Sequence, residues 1–342
     1  MNANFKIGLT RDFLNPDGQL GYGDIGLELL DQHPGVSWDF LAENTPELRS
    51  DQICDYDALL VLSPRVSTST LNGSDRLKVI ARFGVGFDSV DVDACTRNGV
   101  LLTITPDGVR RPVAVSAITL LLALSHKLLI KDRLTREGRW HERLQHMGQG
   151  VTGRTLGIIG LGNIGREIVR LAAPFEMRML GYDPHVPTDA LAGLNVEAVA
   201  LEELLTRSDY VIVCCALVPE TRHLIRGSSL GMMKPGACLI NVARGGVVNQ
   251  ADLTIALQTG RLGAAALDVF ETEPVAPEDP ILKLDNVIVT PHAVCWTDEM
   301  FLGTGRNACQ SILDVADGRC PKHIVNREVL TQPQLRVPLS AI

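Results

Sequence analysis

The chain has 342 residues, more than one compact core ordinarily holds and enough for two domains. Hydrophobic residues make up 45% and charged residues 21%, the balance of a folded globular protein and not of a disordered one. A formal net charge of -8 with no Lys/Arg block excludes the electrostatic footprint of a nucleic-acid binder and makes an anionic membrane a poor partner.

The N-terminus, MNANFKIGLT, enters a strand-like run directly, without the charged start, apolar stretch and cleavage site of a signal peptide. Apolar runs at Ile7–Thr10, Ala58–Leu62, Lys78–Arg82 and Val100–Thr103 alternate with helical patterns up to about residue 105, which predicts a parallel α/β sheet. The apolar run Val113–Leu124 is too short to cross a bilayer and stops at Ser125, His126 and Lys127, so it reads as a buried helix over 113–131. A polar stretch follows from Arg136 to Gly150, and then a second series of strand-like runs: Leu156–Ile159, Met177–Tyr182, Tyr210–Cys214, Ala237–Asn241, Ala264–Val269 and Val287–Thr290. A helical pattern runs from Trp296 to about Asp317, and the tail after Asn326, with Pro333 and Pro338, reads as loosely structured. The cysteines, at 54, 95, 214, 215, 238, 295, 309 and 320, form no CxxC pair and no metal-finger spacing, so no metal site is expected. Cys214, Cys215 and Cys238 fall in apolar runs, where the thiol serves as a small hydrophobe, and a reduced cytoplasmic setting fits best.

The segment TLGIIGLGNIGREIVRLA sets Gly160, Gly162 and Gly165 between the strand Leu156–Ile159 and a helix starting near Asn163. The first glycine permits a tight turn, the second lets the backbone approach a pyrophosphate, and the third lets helix and strand pack closely. The helix N-terminus would present free N–H groups and a positive dipole end to the phosphates. A lone GxGxxG is weak evidence, but Asp183 ends the next strand in MLGYDPH, where an acid can accept hydrogen bonds from an adenosine ribose. The combination predicts NAD. NADP is disfavoured, because Asp183 would repel a 2′-phosphate and no Arg follows it in GYDPHVP.

Arg244 follows CLINVA, Glu273 comes shortly after AALDVF, and His292 follows NVIVTP. In an open parallel sheet the carboxyl ends of the strands face one crevice, so three residues far apart in sequence can meet there. Taken singly, each has a bland reading as a turn, loop or cap residue. Taken together, they suit one reaction. A guanidinium can hold the carboxylate of a 2-keto acid and polarise its carbonyl. The alkoxide formed by hydride arrival needs a proton from a group titrating near neutrality, and a carboxylate beside an imidazole favours its charged form.

These residues resemble the D-2-hydroxyacid dehydrogenase family, which includes phosphoglycerate, glycerate/hydroxypyruvate and phosphite dehydrogenases. The matching motifs are KVIARFGVGFDSVDVDAC, TLGIIGLGNIGRE, PETRHLI, MKPGACLINVARGGVVNQADL, GAAALDVFETEP, NVIVTPHA and HIVNREVL, spread over roughly residues 78 to 330. The resemblance implies two Rossmann-like α/β lobes with doubly wound parallel sheets, the nucleotide lobe (113–297) inserted between the two parts of a substrate lobe (1–112 and 298–342), with helices near 113–131 and 296–317 crossing between them. It also implies a homodimer and a catalytic set of Arg244, Glu273 and His292. Val85 and Gly86 in FGVGFD would be backbone donors to the substrate carboxylate, alongside Arg244. Cofactor contacts carry over to Asn163, Ile164, Asp183, Cys215, Val242, Ala243 and Asp268 beside the three glycines.

Many phosphoglycerate members carry an Arg in a V-R-S turn that meets the substrate phosphate. Here LLVLSPR places Val61, Leu62 and Ser63 on that turn, with Leu62 in the Arg position and Arg65 close by. A small unphosphorylated 2-hydroxy or 2-keto acid is therefore the expected substrate, and phosphoglycerate the alternative. Trp296 lines the pocket mouth or packs at an interface. NAD(H)-sensing corepressors share the fold and the trio, and are the rival outside enzymes. Formate-type relatives pair the His with an amide, which Glu273 is not.

Overall fold

The computed structural model describes residues 5–339. The chain divides into two compact units, one made of the residues up to Pro112 together with those from Trp296 onward, the other of Val113–Cys295.

The first unit is built on a parallel five-stranded sheet: β1 (Phe5–Leu9), β2 (Val36–Phe40), β3 (Ala58–Val61), β4 (Val79–Arg82) and β5 (Leu101–Thr103), in the order β2-β1-β3-β4-β5. The central strands read as unbroken apolar runs because helices cover both faces, and β3 is buried along its whole length. Sequence patterning missed β2. Its sequence, VSWDF, mixes polar and apolar residues because it lies at the sheet edge and is only half-buried. The helix Asp298–Ala316 packs on β4 and β3. Thr297 caps it, its hydroxyl accepting the Met300 N–H at 3.2 Å.

Within the described residues, the tail after Asn326 is not loose. Asn326 is fully buried; its Oδ1 accepts the Leu102 N–H at 2.9 Å and its Nδ2 donates to the Val100 carbonyl at 2.9 Å. A short 3-10 turn, Arg327–Thr331, follows with Val329 buried, and the Arg336 N–H donates to the Gly99 carbonyl at 3.2 Å. The prolines that suggested disorder punctuate a segment whose polar groups complete the β5 edge.

The second unit holds a parallel seven-stranded sheet: β6 (Thr155–Ile159), β7 (Arg178–Tyr182), β8 (Glu197–Ala198), β9 (Tyr210–Val213), β10 (Cys238–Asn241), β11 (Ala264–Leu267) and β12 (Val287–Val289), ordered β12-β11-β10-β9-β6-β7-β8. Side chains alternate between its faces. Ile158, Ile212 and Ile240 enter one core, while Ile159, Val211, Val213 and Leu239 enter the other. Two residues long and exposed, β8 left no pattern to read. Cys214 and Cys215 lie just beyond β9, not within it.

The helix expected over 113–131 is two helices. The first runs Pro106–Ser125, starting on a proline whose missing N–H costs nothing at a first turn and continuing through Pro112, where patterning would stop. Lys127 then takes the left-handed conformation with φ 51, and a second helix, Leu128–Arg136, begins. At this length the first helix is long and apolar enough to cross a membrane, contrary to the reading from its apolar run, yet 67% of its apolar window is buried inside the protein.

Candidate active site

In the second unit the strand order reverses at β6, which lies between β9 and β7. Ligands of such sheets bind at the carboxyl ends of the strands flanking that reversal. The turn after β6 needs glycine, because Gly160 has φ 99 and a Cβ there would stand 2.7 Å from the Cys215 nitrogen. A Cβ at Gly165 would stand 1.9 Å from the Gly160 carbonyl oxygen, so the helix Asn163–Ala172 is seated directly on the turn. A Cβ at Gly162 would meet nothing within 4 Å, which leaves open space at the helix N-terminus. Asp183, just past β7, accepts the Leu161 N–H on Oδ2 at 2.8 Å and the His185 N–H on Oδ1 at 3.0 Å. A carboxylate has about four lone-pair positions, so acceptor capacity remains for ribose hydroxyls. An open notch, a helix N-terminus and an acid at the neighbouring strand end fit an adenine dinucleotide.

The other expected cofactor contacts lie at neighbouring strand ends, and several are engaged within the protein. Asn163 Oδ1 accepts from Arg166 Nη2 at 3.1 Å, and Ile164 packs partly buried against the core. The Val242 N–H donates to the Val213 carbonyl at 3.2 Å. Ala243 gives its N–H to Asn241 Oδ1 at 3.0 Å and takes Arg244 Nη1 on its carbonyl at 2.8 Å. Burial pushes the Cys215 thiol up to about 11, so it stays neutral.

Arg244, Glu273 and His292 come from the turns after β10, β11 and β12. Asn241 ends β10 and is buried; besides holding the Ala243 N–H it donates from Nδ2 to the Arg244 carbonyl at 3.1 Å, which fixes the turn carrying Arg244. A Cβ on Gly245 would fall 1.9 Å from the Phe270 carbonyl, so only glycine lets the Arg244 turn meet the turn of Phe270 backbone to backbone. That second turn carries Glu273. Its Oε1 accepts the Phe270 N–H at 2.9 Å, and its Oε2 lies 2.7 Å from His292 Nδ1. Burial pushes the Glu273 carboxyl up, but the hydrogen bonds from His292 and the Phe270 N–H and the charges of His292 and Arg244 outweigh it, leaving it below the usual carboxylate range. Glu271 faces elsewhere, toward His223 and the Gln250 N–H.

His292 has φ 54, a region sparsely populated by non-glycine residues. The turn is held there by Asp268, whose Oδ1 accepts the Thr290 hydroxyl at 2.7 Å and the N–H groups of Ala293 and Val294 at 2.9 and 3.0 Å. Burial keeps the Asp268 carboxyl above its ordinary value despite these bonds. With Nδ1 committed to Glu273, Nε2 is the imidazole nitrogen left for proton exchange. Sequence reading named the trio but not Asn241, Gly245, Phe270 or Thr290, which hold its turns; a polar residue closing an apolar strand, as in CLIN, was the one available signal.

Val85 and Gly86 belong to the first unit, in the turn after β4. Gly84, at φ 131, gives its N–H to Thr105 Oγ1 at 2.8 Å and accepts the Thr105 N–H at 2.9 Å, which pins the turn. In this unit the order reverses between β1 and β3. The Leu62 N–H donates to Thr10 Oγ1 at 3.1 Å and the Ser63 N–H to Asp12 Oδ2 at 2.9 Å. A cavity of about 330 Å³ opens there, lined by Asp12, Asn44, Thr45, Pro46, Ser63 and Pro64. Asp12 Oδ1 is buried with no hydrogen-bond partner. Arg65 is exposed, and its charge acts on Glu47, whose carboxyl is held low first by the Ser67 hydroxyl. Among the described residues, no group of three or more His, Cys, Asp or Glu is placed to hold a metal ion.

Residues 118–294 match the profile described as D-isomer specific 2-hydroxyacid dehydrogenase, NAD binding domain. A glyoxylate reductase of Korarchaeum cryptofilum is 36% identical over 310 residues, which cover 89% of this chain and 93% of that one. A D-3-phosphoglycerate dehydrogenase of Archaeoglobus fulgidus is 38% identical over 276 residues, covering 80% of this chain but 52% of that longer protein. The crystal structure of D-lactate dehydrogenase from Aquifex aeolicus, complexed with NAD and lactic acid, superposes with a TM-score of 0.78 at 26% identity over 95% of this chain and 97% of that one. The nucleotide notch, the sheet orders and these likenesses agree: the chain belongs to the D-isomer specific 2-hydroxyacid dehydrogenases, NAD-dependent enzymes that exchange a hydride between the nicotinamide and a 2-hydroxy or 2-keto acid.

Proposed function

We propose that this enzyme reduces a small unphosphorylated 2-keto acid, glyoxylate and hydroxypyruvate among the candidates, with Arg244, Glu273 and His292 as its catalytic residues. The observation that carries the reading is the 2.7 Å contact between His292 Nδ1 and Glu273 Oε2, with the other Glu273 oxygen fixed on the Phe270 N–H. Arg244 binds the substrate carboxylate and polarises the carbonyl oxygen. The Val85 and Gly86 N–H groups donate to the same carboxylate. NADH, when bound, supplies the hydride. Glu273 holds the Nδ1 proton of His292, so Nε2 gives its proton to the carbonyl oxygen as charge develops there, and takes it back in the oxidation direction. The cofactor is held by Gly160, Gly162, Asn163, Ile164, Gly165, Asp183, Cys215, Val242, Ala243 and Asp268, the last also positioning the His292 turn.

The lining of the first unit's cavity supports an unphosphorylated substrate. A dianionic phosphate taken out of water needs paired cations. Leu62 supplies none, Arg65 is exposed beside Glu47, and Asp12 adds a negative charge.

The same reading makes the enzyme a cytoplasmic homodimer without nucleic-acid or membrane partners. The helix Leu128–Arg136 and the 3-10 segment Trp140–His146 support the dimer, since Leu128, Leu129, Trp140, Leu144 and Met147 stand exposed on and beside them, and a second copy is the occupant proposed for that surface. The test is NADH absorbance with a panel of 2-keto acids, formate and phosphite, alongside light scattering of wild type and Leu144→Glu. Turnover of 2-keto acids by a dimer that Leu144→Glu splits is expected. Binding of NADH without turnover would leave an NAD(H)-sensing role in its place.

A further inference from the structure

The chain contains only 8 Phe, 4 Tyr and 3 Trp, and five of these aromatics stand together in the first unit. The ladder starts in the core. Phe13, on the short turn after β1, meets Phe83 edge to face at 5.1 Å between centroids. Phe83 stacks on Phe301 at 5.8 Å, and Phe301 stacks on Tyr22 at 4.6 Å. Trp296 closes the set, edge-on to Tyr22 at 5.3 Å and to Phe301 at 5.5 Å. Phe13, Phe83 and Phe301 are buried, Tyr22 is half-buried, and Trp296 is 48% exposed.

An indole locked against two other rings and still half in solvent is an unusual use of the largest apolar side chain, and such fixed apolar surface marks a place where something docks. The ladder's neighbours say what docks. Phe83 leads directly into Gly84, Val85 and Gly86, the turn proposed to hold the substrate carboxylate. Tyr22 lies close to Asp12 of the 330 Å³ cavity; burial first, and the Asp12 charge second, raise its hydroxyl above the ordinary value, so it stays uncharged. The loop that carries Tyr22 is tied down by the Leu14–Leu20 bridge and by the Gly21 N–H donating to the Phe13 carbonyl at 2.9 Å. The loop half of the wall is therefore tied down, and the two side chains that form it, Tyr22 and Trp296, are aromatic and uncharged.

We propose that Tyr22 and Trp296 form the wall that receives the substituent on C2 of the keto acid, and that they select apolar substituents, branched or aromatic, over hydroxylated ones. This rests on the 2-keto acid reading and narrows its substrate class. A hydroxyl laid against the ring faces loses water partners that those faces do not replace, whereas a branched alkyl or phenyl group gains contact with them.

The test is kcat/KM with NADH for glyoxylate, which has no substituent, hydroxypyruvate, 4-methyl-2-oxopentanoate and phenylpyruvate. The wild-type preference for 4-methyl-2-oxopentanoate over hydroxypyruvate is expected to reach about tenfold or more, the discrimination typical of apolar pockets. In Trp296→Ala and Tyr22→Ala the ratio of kcat/KM for 4-methyl-2-oxopentanoate to that for glyoxylate should fall by about tenfold. Trp296→Phe, which keeps a ring, should restore most of it. A wild-type ratio at or below one overturns the proposal, and that measurement needs no variant to fold. Variants that lose all four substrates in proportion overturn it as well, because a purely structural role would do that. A wild type that reduces none of the four defeats the 2-keto acid reading itself, an outcome distinct from either of these.

Discussion

In the seven-stranded sheet the strand order reverses beside β6, and the chain leaves that strand through a glycine turn with open space at Gly162 into a ten-residue helix presenting its N-terminus. In the five-stranded sheet it reverses between β1 and β3, and the residues past those strands are Thr10, Asp12, Leu62 and Ser63, with Phe13 of the aromatic ladder directly after Asp12 in the chain. The same topology opens a notch in both units. One offers open space at Gly162 and a helix N-terminus that suit phosphates; the other is lined by the Asp12 carboxylate, Asn44, Thr45, Ser63 and two prolines, with no Lys or Arg among those residues. Topology decides where a ligand goes, and the first residues past each strand decide which ligand it is.

The largest effect should come from His292. In His292→Ala, kcat for keto-acid reduction should fall by about 10² to 10⁴-fold, the usual contribution of a positioned acid–base group. A fall of less than about tenfold would remove the acid–base role from the seven-stranded unit.

Next in size is the cofactor preference. If Asp183 receives the adenosine ribose as proposed, a 2′-phosphate would meet its charge, so kcat/KM with NADH should exceed that with NADPH by about tenfold or more, and Asp183→Ser should shrink the gap. Equal use of both cofactors by the wild type would contradict the anionic reading of that strand end.

The glycine notch can be sharpened with two neighbouring substitutions. A methyl at Gly162 meets no protein atom within 4 Å, so Gly162→Ala should cost at most about 1 kcal/mol of stability, as a weaker helix cap, yet weaken NADH binding by about tenfold. A methyl at Gly165 stands 1.9 Å from a backbone oxygen, so Gly165→Ala should lower Tm as well. Calorimetry beside NADH fluorescence titration separates the two, and full-strength NADH binding by Gly162→Ala would mean that the open space is not cofactor space.

How much of this was legible in the sequence depended on whether a residue announces its partners. Gly160, Gly162 and Asp183 stand at fixed offsets from a strand and a helix, so pattern alone located them. Arg244, Glu273 and His292 follow apolar runs and could be read from strand ends. The 2.7 Å contact between Glu273 and His292 could not, because it depends on Gly245 admitting the Phe270 turn and on Asp268 gripping the residues around His292. Edge strand β2 escaped because none of its residues is fully buried and Asp39 is exposed, so no apolar run marks it. Asn326 escaped because a buried amide that completes a neighbouring strand looks, in sequence, like the start of a polar tail.

A smaller effect concerns Glu273 and pH. Its carboxyl is held below the ordinary value in the folded protein, so ionised Glu273 stabilises the fold above the unfolded value of about 4.3. That contribution is lost as pH falls through the lower folded value. Urea midpoints of wild type and Glu273→Gln should therefore differ most near neutral pH and converge as pH falls through the lowered folded value. A gap that is constant across this range would mean that the Glu273–His292 contact contributes nothing through charge.

The claim that joins the two notches is that the enzyme takes a phosphate-free keto acid against a phosphate-bearing cofactor. It is tested most directly by kcat/KM for 3-phosphoglycerate against D-glycerate, and for 3-phosphohydroxypyruvate against hydroxypyruvate, under one set of conditions. The account predicts that the unphosphorylated member of each pair is the better substrate. A preference of about tenfold or more for the phosphorylated member, worth about 1.4 kcal/mol in the transition state, would reveal a cation site that neither Leu62 nor Asp12 allows for, and would contradict it.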